Sequence, residues 1–261
     1  MTQAEKHVTA AMLIIGNEVL SGRTQDKNLA HVGNALGEIG IDMKEVRIVP
    51  DEQDEIVDAV NALRAKYTYV FTTGGIGPTH DDITADCIAA AFGVELEMHP
   101  LAVQLLEAHY DAQGIEFNAA RARMARIPEG ASLIDNPVST APGFRIENVH
   151  VMAGVPKIMQ AMMENILPTL EGGQTLSSVT ITAQVPEGSI AAAMQELQGD
   201  YPDVNIGLYP FYGADGAGVS VVARGRDIDA LAQVEAAVKR QFGDMGMPLI
   251  ERPPPAEFLK G

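Results

Sequence analysis

Basic residues are scarce in this chain. Only 18 Lys and Arg stand against 35 Asp and Glu over 261 residues, a formal charge of −17. A protein this acidic repels phosphate backbones and anionic membrane surfaces, which excludes a general nucleic-acid or membrane-surface binder and leaves room only for a local basic site around a small anion. Cysteine is limited to Cys87, so no disulfide forms within the chain and no four-ligand Cys/His zinc pattern exists. Tryptophan is absent, and with six Tyr and seven Phe the core must be aliphatic. No apolar run approaches the roughly 18 residues of a membrane span. Met1 to Ala10 lacks the basic patch and apolar stretch of a signal peptide. The expectation is a cytoplasmic protein. The 46% hydrophobic content suits a folded core, and the length suits one large or two modest domains.

Strands and helices alternate in the pattern. Ala10 to Ile15 is a short apolar run that reads as a buried strand. Asp26 to Ile39 places Leu29, Val32, Leu36 and Ile39 at helical spacing, with Gly40 as the stop. Met43 to Val49 reads as a strand, Glu52 to Lys66 as a helix, Tyr67 to Thr73 as a strand and Thr84 to Phe92 as a small-residue helix. Pro100 to Gln113 and Asn118 to Arg126 read as helices, and Gly130 to Gly143 as a structured loop around a short strand. Val149 to Ala153 reads as a strand that leads through Gly154-Val155-Pro156-Lys157 into a helix ending at Leu167. Apolar strands with helical crossovers predict a three-layer α/β/α domain around a mostly parallel sheet, over residues 8–170. Glu171-Gly172-Gly173-Gln174 is the linker. Beyond it, residues 175–252 read β-α-β-β-α with a last strand near Pro248 to Glu251, a small α+β module of ferredoxin-like type. Pro253 to Gly261 reads as a loose tail.

The chemistry concentrates where strands hand over to helices. Thr72-Thr73-Gly74-Gly75-Ile76-Gly77-Pro78-Thr79-His80-Asp81-Asp82-Ile83-Thr84 follows a strand and precedes a helix. Glycines admit a ligand close to the backbone, and free N–H groups at a helix start attract phosphate. The segment is neither a Walker A loop nor Gly-x-Gly-x-x-Gly. Two carboxylates beside a phosphate loop point either to a divalent cation held with substrate phosphate or to simple helix capping. Gly16-Asn17-Glu18 and the segment from Ser21 to Asn28 lie after the first strand, where Glu18 and Asp26 either join such a site or, for Asp26, cap a helix. Asp51 is an N-cap or a site carboxylate. The segment from Asn136 to Phe144 is stiffened by Pro137 and Pro142, with Gly143 allowing close approach. Lys157 at a helix start opposes the macrodipole, so it either meets an anion or is simply solvated. Cys87 reads as core packing. Met152, Met159, Met162 and Met163 read as gap-filling core or an oligomer contact.

These residues are familiar. Thr73-Gly74-Gly75-Ile76-Gly77-Pro78-Thr79-His80-Asp81-Asp82-Ile83-Thr84 resembles the signature of the molybdopterin-binding domain of molybdenum-cofactor biosynthesis, in the form typical of the competence/damage-inducible protein A family. Gly16-Asn17-Glu18-Val19-Leu20-Ser21-Gly22 resembles that family's opening motif. Asn136-Pro137-Val138-Ser139-Thr140-Ala141-Pro142-Gly143-Phe144 resembles another, with Ser139 where Gly is usual. The second module resembles the family's small middle domain. Two features depart. A chain of this length has no room for the family's C-terminal amidase domain, so that activity is not transferred. Gly154-Val155-Pro156-Lys157 is closer to the molybdopterin adenylyltransferase branch.

The resemblance implies a sheet edge that binds a phosphorylated pterin or nucleotide. It also implies divalent-metal-dependent cleavage of the diphosphate of ADP-ribose or FAD, with molybdopterin binding or adenylylation as one alternative and a non-catalytic regulatory module as another. On that reading Thr73, Gly74, Gly75, Gly77, Pro78, Thr79 and Asp51 surround the phosphate, and Gly154 and Lys157 contact it. Thr140 and Gly143 shape the wall. Asp81, Asp82 and Glu18 hold Mg²⁺, Mn²⁺ or Co²⁺ or orient water. The expected assembly is a homo-oligomer, dimer or trimer, with a phosphorylated small molecule as partner and neither nucleic acid nor membrane.

Overall fold

The computed structural model describes residues 7–213 and 216–251. Part of the turn expected before Val219, the tail from Pro253 and most of Met1 to Ala10 lie outside the described residues. The chain divides into two units, one ending at Gly173 and the other beginning at Gln174.

The first unit runs β1 (Thr9–Ile15), α1 (Asn17–Leu20), α2 (Asn28–Glu38), β2 (Asp42–Val49), α3 (Gln53–Lys66), β3 (Tyr69–Thr73), α4 (Thr84–Phe92) and β4 (Leu96–Met98). It continues with α5 (Pro100–Ala112), α6 (Ala119–Ala122), β5 (Arg126–Pro128), β6 (Ser132–Ile134), β7 (Gly143–Ile146), β8 (Val149–Met152) and α7 (Pro156–Ile166). Six strands form one sheet in the order β2-β1-β3-β8-β7-β6. The pairs β1–β2, β1–β3 and β3–β8 are parallel, and β8–β7 and β7–β6 are antiparallel. The sheet is therefore mostly parallel, as the helical crossovers require.

Strand alternation divides the apolar run of β1 between two cores. Ala11, Leu13 and Ile15 pack with Ile56, Val60 and Leu63 of α3 and Cys87 and Ile88 of α4. Ala10, Met12 and Ile14 pack with Val32 and Leu36 of α2 and Met159, Met162 and Met163 of α7. The result is the three-layer α/β/α arrangement. Met152, Met159, Met162 and Met163 are fully buried inside the unit. They are core, and they offer no apolar surface to a second subunit. Cys87 is buried too, and burial pushes its thiol up to about 12, which leaves it unreactive.

Three short strands depart from the sequence expectation. β4 and β5 pair with each other antiparallel, and β7 begins at Gly143, the last residue of what reads as a loop. The helix expected over Asn118 to Arg126 stops at Ala122, tightens into a 3₁₀ turn over Arg123–Ala125 and gives way to β5 at Arg126.

The second unit runs β9 (Ser177–Ala183), α8 (Ala191–Asp200), β10 (Asn205–Gly213), β11 (Gly216–Gly225) and α9 (Ile228–Asp244). Its antiparallel sheet has the order β10-β11-β9, the split β-α-β arrangement. The strand expected near Pro248 to Glu251 is reduced to a single antiparallel bridge between Leu249 and Ala183.

Candidate functional site

A cavity of about 510 Å³ opens at the carboxyl ends of β1, β3 and β8, where ligands of parallel sheets gather. Glu18 borders it after β1, Gly74 to Pro78 after β3, and Ala153 to Pro156 after β8. Asp82, Asn136, Ser139 and Met124 complete the polar and apolar wall.

The glycine segment is built for close approach. Gly74 and Gly75 have φ of 104° and 66°, the left-handed region that favours glycine. A Cβ on Gly74 would fall 2.1 Å from the Ile15 carbonyl oxygen, and one on Gly75 would fall 2.2 Å from Thr84 Oγ1. Thr84 closes the segment by donating its hydroxyl to the Gly74 carbonyl at 2.9 Å and its N–H to the Gly75 carbonyl at 3.0 Å. Gly154 packs directly against Gly74, at 3.2 Å from the position of an added Cβ to the Gly74 Cα.

The carboxylates separate into distinct jobs. Asp82 accepts from both the N–H and the hydroxyl of Thr79, which folds the Thr79–Asp82 turn so that its carboxylate lies against Gly77. Neither Asp81 nor Asp82 caps α4, whose first turn carries no side-chain cap. Asp81 is exposed off the cavity, and the Thr79 side chain and its own N–H hold it below the usual carboxylate range. The Glu18 carboxylate has no hydrogen-bond partner among the described residues and lines both the main cavity and a smaller one of about 60 Å³ beside it. Asn28 Oδ1 and Thr73 Oγ1, two buried oxygens without partners among the described residues, belong to residues of that smaller cavity's wall. Asp26, one residue before the α2 N-cap Lys27, accepts from Leu29 N–H at 2.9 Å, and Asp51 accepts from Asn17 N–H at 2.9 Å, which anchors the segment bearing Glu18.

Other expected site residues lie elsewhere. Gly143 is buried in the sheet, where a Cβ would strike the Val151 carbonyl and the Met162 methyl, so its smallness serves packing. Thr140 turns away, with a φ of 64° and its hydroxyl 2.9 Å from His109 Nδ1. Buried Asn136 organises that turn through the Val138 and Ser139 N–H groups, and Ser139 rather than Thr140 reaches the cavity. Lys157 is exposed and does not line the cavity, although its neighbours Pro156 and Ile158 do. Thr79 acts through Asp82. His80 is fully solvent-facing.

The cation that sequence reading missed is Arg123. Together with Gly75, Gly77 and Asp82 it lines a small pocket on the far side of the loop, and it donates to the Asp82 carbonyl at 3.2 Å. Its Nε is buried without a partner among the described residues. Neighbouring Arg126 is committed to Asp86 by two hydrogen bonds of 2.9 and 2.8 Å. Arg123 was hidden because its segment reads as continuous helix, whereas the 3₁₀ turn re-aims it.

Among the described residues, no group of three or more His, Cys, Asp or Glu side chains stands close enough to hold a metal ion. The protein alone offers Glu18 and Asp82 on one cavity. That donor set fits a hard cation completed by substrate oxygens, not a closed protein cage.

Fold and loop together define a three-layer α/β domain with its ligand cavity at the carboxyl edge of the sheet. The comparisons agree. The model of the probable molybdopterin binding domain matches residues 11–172, and the FAD synthase middle domain matches residues 175–248. A protein of Aeropyrum pernix is 35% identical over 215 residues, covering 79% of this chain and 80% of that relative. One of Caldivirga maquilingensis is 37% identical over 194 residues, covering 72% and 76%. The solved structure of the protein CinA, of unknown function, from Thermoplasma acidophilum superposes with a TM-score of 0.58 at 33% identity, covering 62% of this chain and 98% of that one. The chain belongs to the molybdopterin-binding domain family and carries a FAD synthase middle-type module after it. No described helix is long and apolar enough to cross a membrane.

Proposed function

We propose that the cavity binds a phosphorylated heterocycle and that the chain hydrolyses the diphosphate of a nucleoside-diphosphate compound such as ADP-ribose or FAD. The observation that carries this reading is the placement of Glu18 and Asp82 on the same cavity as the bare backbone of Gly74 to Gly77. An anionic ligand on that backbone would face two carboxylates, and a divalent cation shared between carboxylate and phosphate resolves the conflict. Glu18 and Asp82 would hold such a cation, which would supply charge neutralisation at the diphosphate.

The rest is the work of the chain. The backbone of the glycine segment receives the phosphates, and Arg123 lies on the loop's far side within its electrostatic reach. Asp82 is fixed by Thr79 and keeps one orientation. The Glu18 oxygen not engaged by the cation would accept a hydrogen bond from the attacking water. Ile76, Met124, Val155 and Ile158 give the ring system an apolar wall. The name of the family matched by residues 175–248 supports a flavin- or adenine-bearing compound. The test is AMP release from ADP-ribose and from FAD, with Mg²⁺, Mn²⁺ or Co²⁺ and with chelator. Metal-dependent release that collapses in Asp82→Asn and Glu18→Gln is expected. No release with any metal overturns the hydrolase.

A second reading is binding of a pterin phosphate without turnover. It is favoured by the name of the larger family. Saturable binding of molybdopterin by a protein inactive on both diphosphates would establish it.

A further inference from the structure

His150 has no place in the site above, yet it is among the least comfortable residues of the fold. It is 1% exposed, and neither ring nitrogen completes a hydrogen bond among the described residues, although the Val70 and Asn148 backbones lie close enough to favour its charged form. Burying a polar atom without a full hydrogen bond is costly, so two on one ring call for an explanation. Register supplies one. Ser132 of β6 lies opposite Arg145 of β7, Arg145 opposite His150 of β8, and His150 beside Phe71 of β3. These four form a row across one face of the sheet, apolar toward the centre and polar toward the edge. α7 covers the inner end of this face. At the outer end a separate cavity of about 300 Å³ remains between β6–β8 and the end of α7, sharing no lining residue with the glycine-loop cavity.

The walls of this cavity are chemically specific. His150 is held flat by stacking on Phe71, with ring centroids 5.1 Å apart, and by the edge of Tyr69 at 5.9 Å. Arg145 is fixed by its Nε, which donates to the Glu147 carbonyl at 2.9 Å. Its two terminal amino groups have no partner among the described residues. Ile134 and Ile166 are the apolar lining, and Asn165 and Asp135 also border it. Burial first, and then the Arg145 charge, bring the His150 pKa down to about 4, so the ring is neutral and offers one donor and one acceptor. Arg145 favours a planar anionic group, and Asp135 beside it disfavours a second negative charge.

We propose that this cavity is a second ligand site, for a small aromatic or heteroaromatic monocarboxylate whose carboxylate meets Arg145 and whose ring hydroxyl or nitrogen meets His150. The volume is at the lower end of ordinary ligand sites, which suits a single ring.

The test uses the full chain, with salicylate and nicotinate as probes. Calorimetry and ¹⁵N spectra of the histidine rings are followed together. Expected is saturable binding of at least one probe at millimolar concentration or below, with the His150 ring nitrogens shifting. Arg145→Gln, at an exposed position, should weaken that binding about tenfold or more. His150→Phe keeps the stacking on Phe71 and should abolish it. If His150→Phe does not fold, Arg145→Gln and the wild-type ring shifts decide. Absence of saturable binding by both probes overturns the proposal. So does binding that both variants retain, or shifts confined to the glycine segment. AMP release plays no part in the readout, so failure here is distinct from failure of the diphosphatase.

Discussion

Arg123 donates to the carbonyl oxygen of Asp82 at 3.2 Å, which ties a cation to the glycine loop in a chain of formal charge −17. Arg123 lines the small pocket behind the loop rather than the main cavity, whereas Lys157 is exposed and lines neither. A charge-assisted hydrogen bond is worth about 1.5–3 kcal/mol, or about tenfold to a hundredfold in affinity. Arg123→Ala is therefore expected to weaken nucleotide binding by that factor, measured by titration with ADP-ribose. Lys157→Ala is expected to leave it unchanged. The opposite ranking would move the phosphate site to the start of α7.

The two left-handed glycines Gly75 and Gly93 separate backbone strain from crowding. Both have φ near +66°, but a Cβ on Gly93 meets nothing within 4 Å, whereas one on Gly75 falls 2.2 Å from Thr84 Oγ1. Gly93→Ala is expected to cost about 1 kcal/mol, the strain of the conformation alone. Gly75→Ala should cost more, and it should also disturb the hydroxyl that Thr84 gives to Gly74, so ligand binding falls with stability. Urea denaturation of both variants, with ligand titration of each, checks the pair. Equal stability losses and intact binding in Gly75→Ala would deny the loop its closed geometry.

Asp82 and Asp81 are adjacent in sequence and unlike in position. Asp82 is fixed by Thr79 on the cavity wall, and Asp81 points to solvent. Asp81→Asn is expected to keep AMP release within about twofold of wild type, as for other surface changes. Thr79→Val, which removes one bond to the Asp82 carboxylate, should reduce kcat with less effect on KM, because it frees the carboxylate without removing it. Steady-state kinetics of the two variants would separate these roles. A larger loss in Asp81→Asn than in Thr79→Val would reverse the assignment.

The buried strands and their helices were legible because period and length agreed. Ala10 to Ile15, Tyr67 to Thr73 and Thr84 to Phe92 each end within two residues of the structure's own elements. β4, β5 and β7, of three or four residues, are too short to show a period. The glycine segment was legible as a site because its residues are contiguous. Arg123 and Ser139 were not, since each reaches the cavity region through a local change of direction, a 3₁₀ turn in one case and the Asn136-centred turn in the other. Gly143 misled for a related reason. A glycine needed for close approach looks the same in sequence whether the approaching atoms belong to a ligand or, as here, to Val151 and Met162.

The buried histidine also predicts a pH dependence of stability. The His150 pKa is lowered from 6.5 to about 4, so the unfolded chain takes up a proton well before the folded one does. Its contribution is fully present above about pH 6.5 and is lost as pH falls toward 4, by about 3 kcal/mol over the whole window. Glu45, held down to about 2 by Tyr67, Lys66 and Arg47, adds its own loss below 4.5. That loss is common to wild type and to His150→Phe and cancels when the two are compared. Urea denaturation at about pH 7 and about pH 4.5 should therefore show the wild type losing more stability than the variant. Parallel losses would mean that the His150 ring already carries its proton, or reaches solvent, in the folded protein.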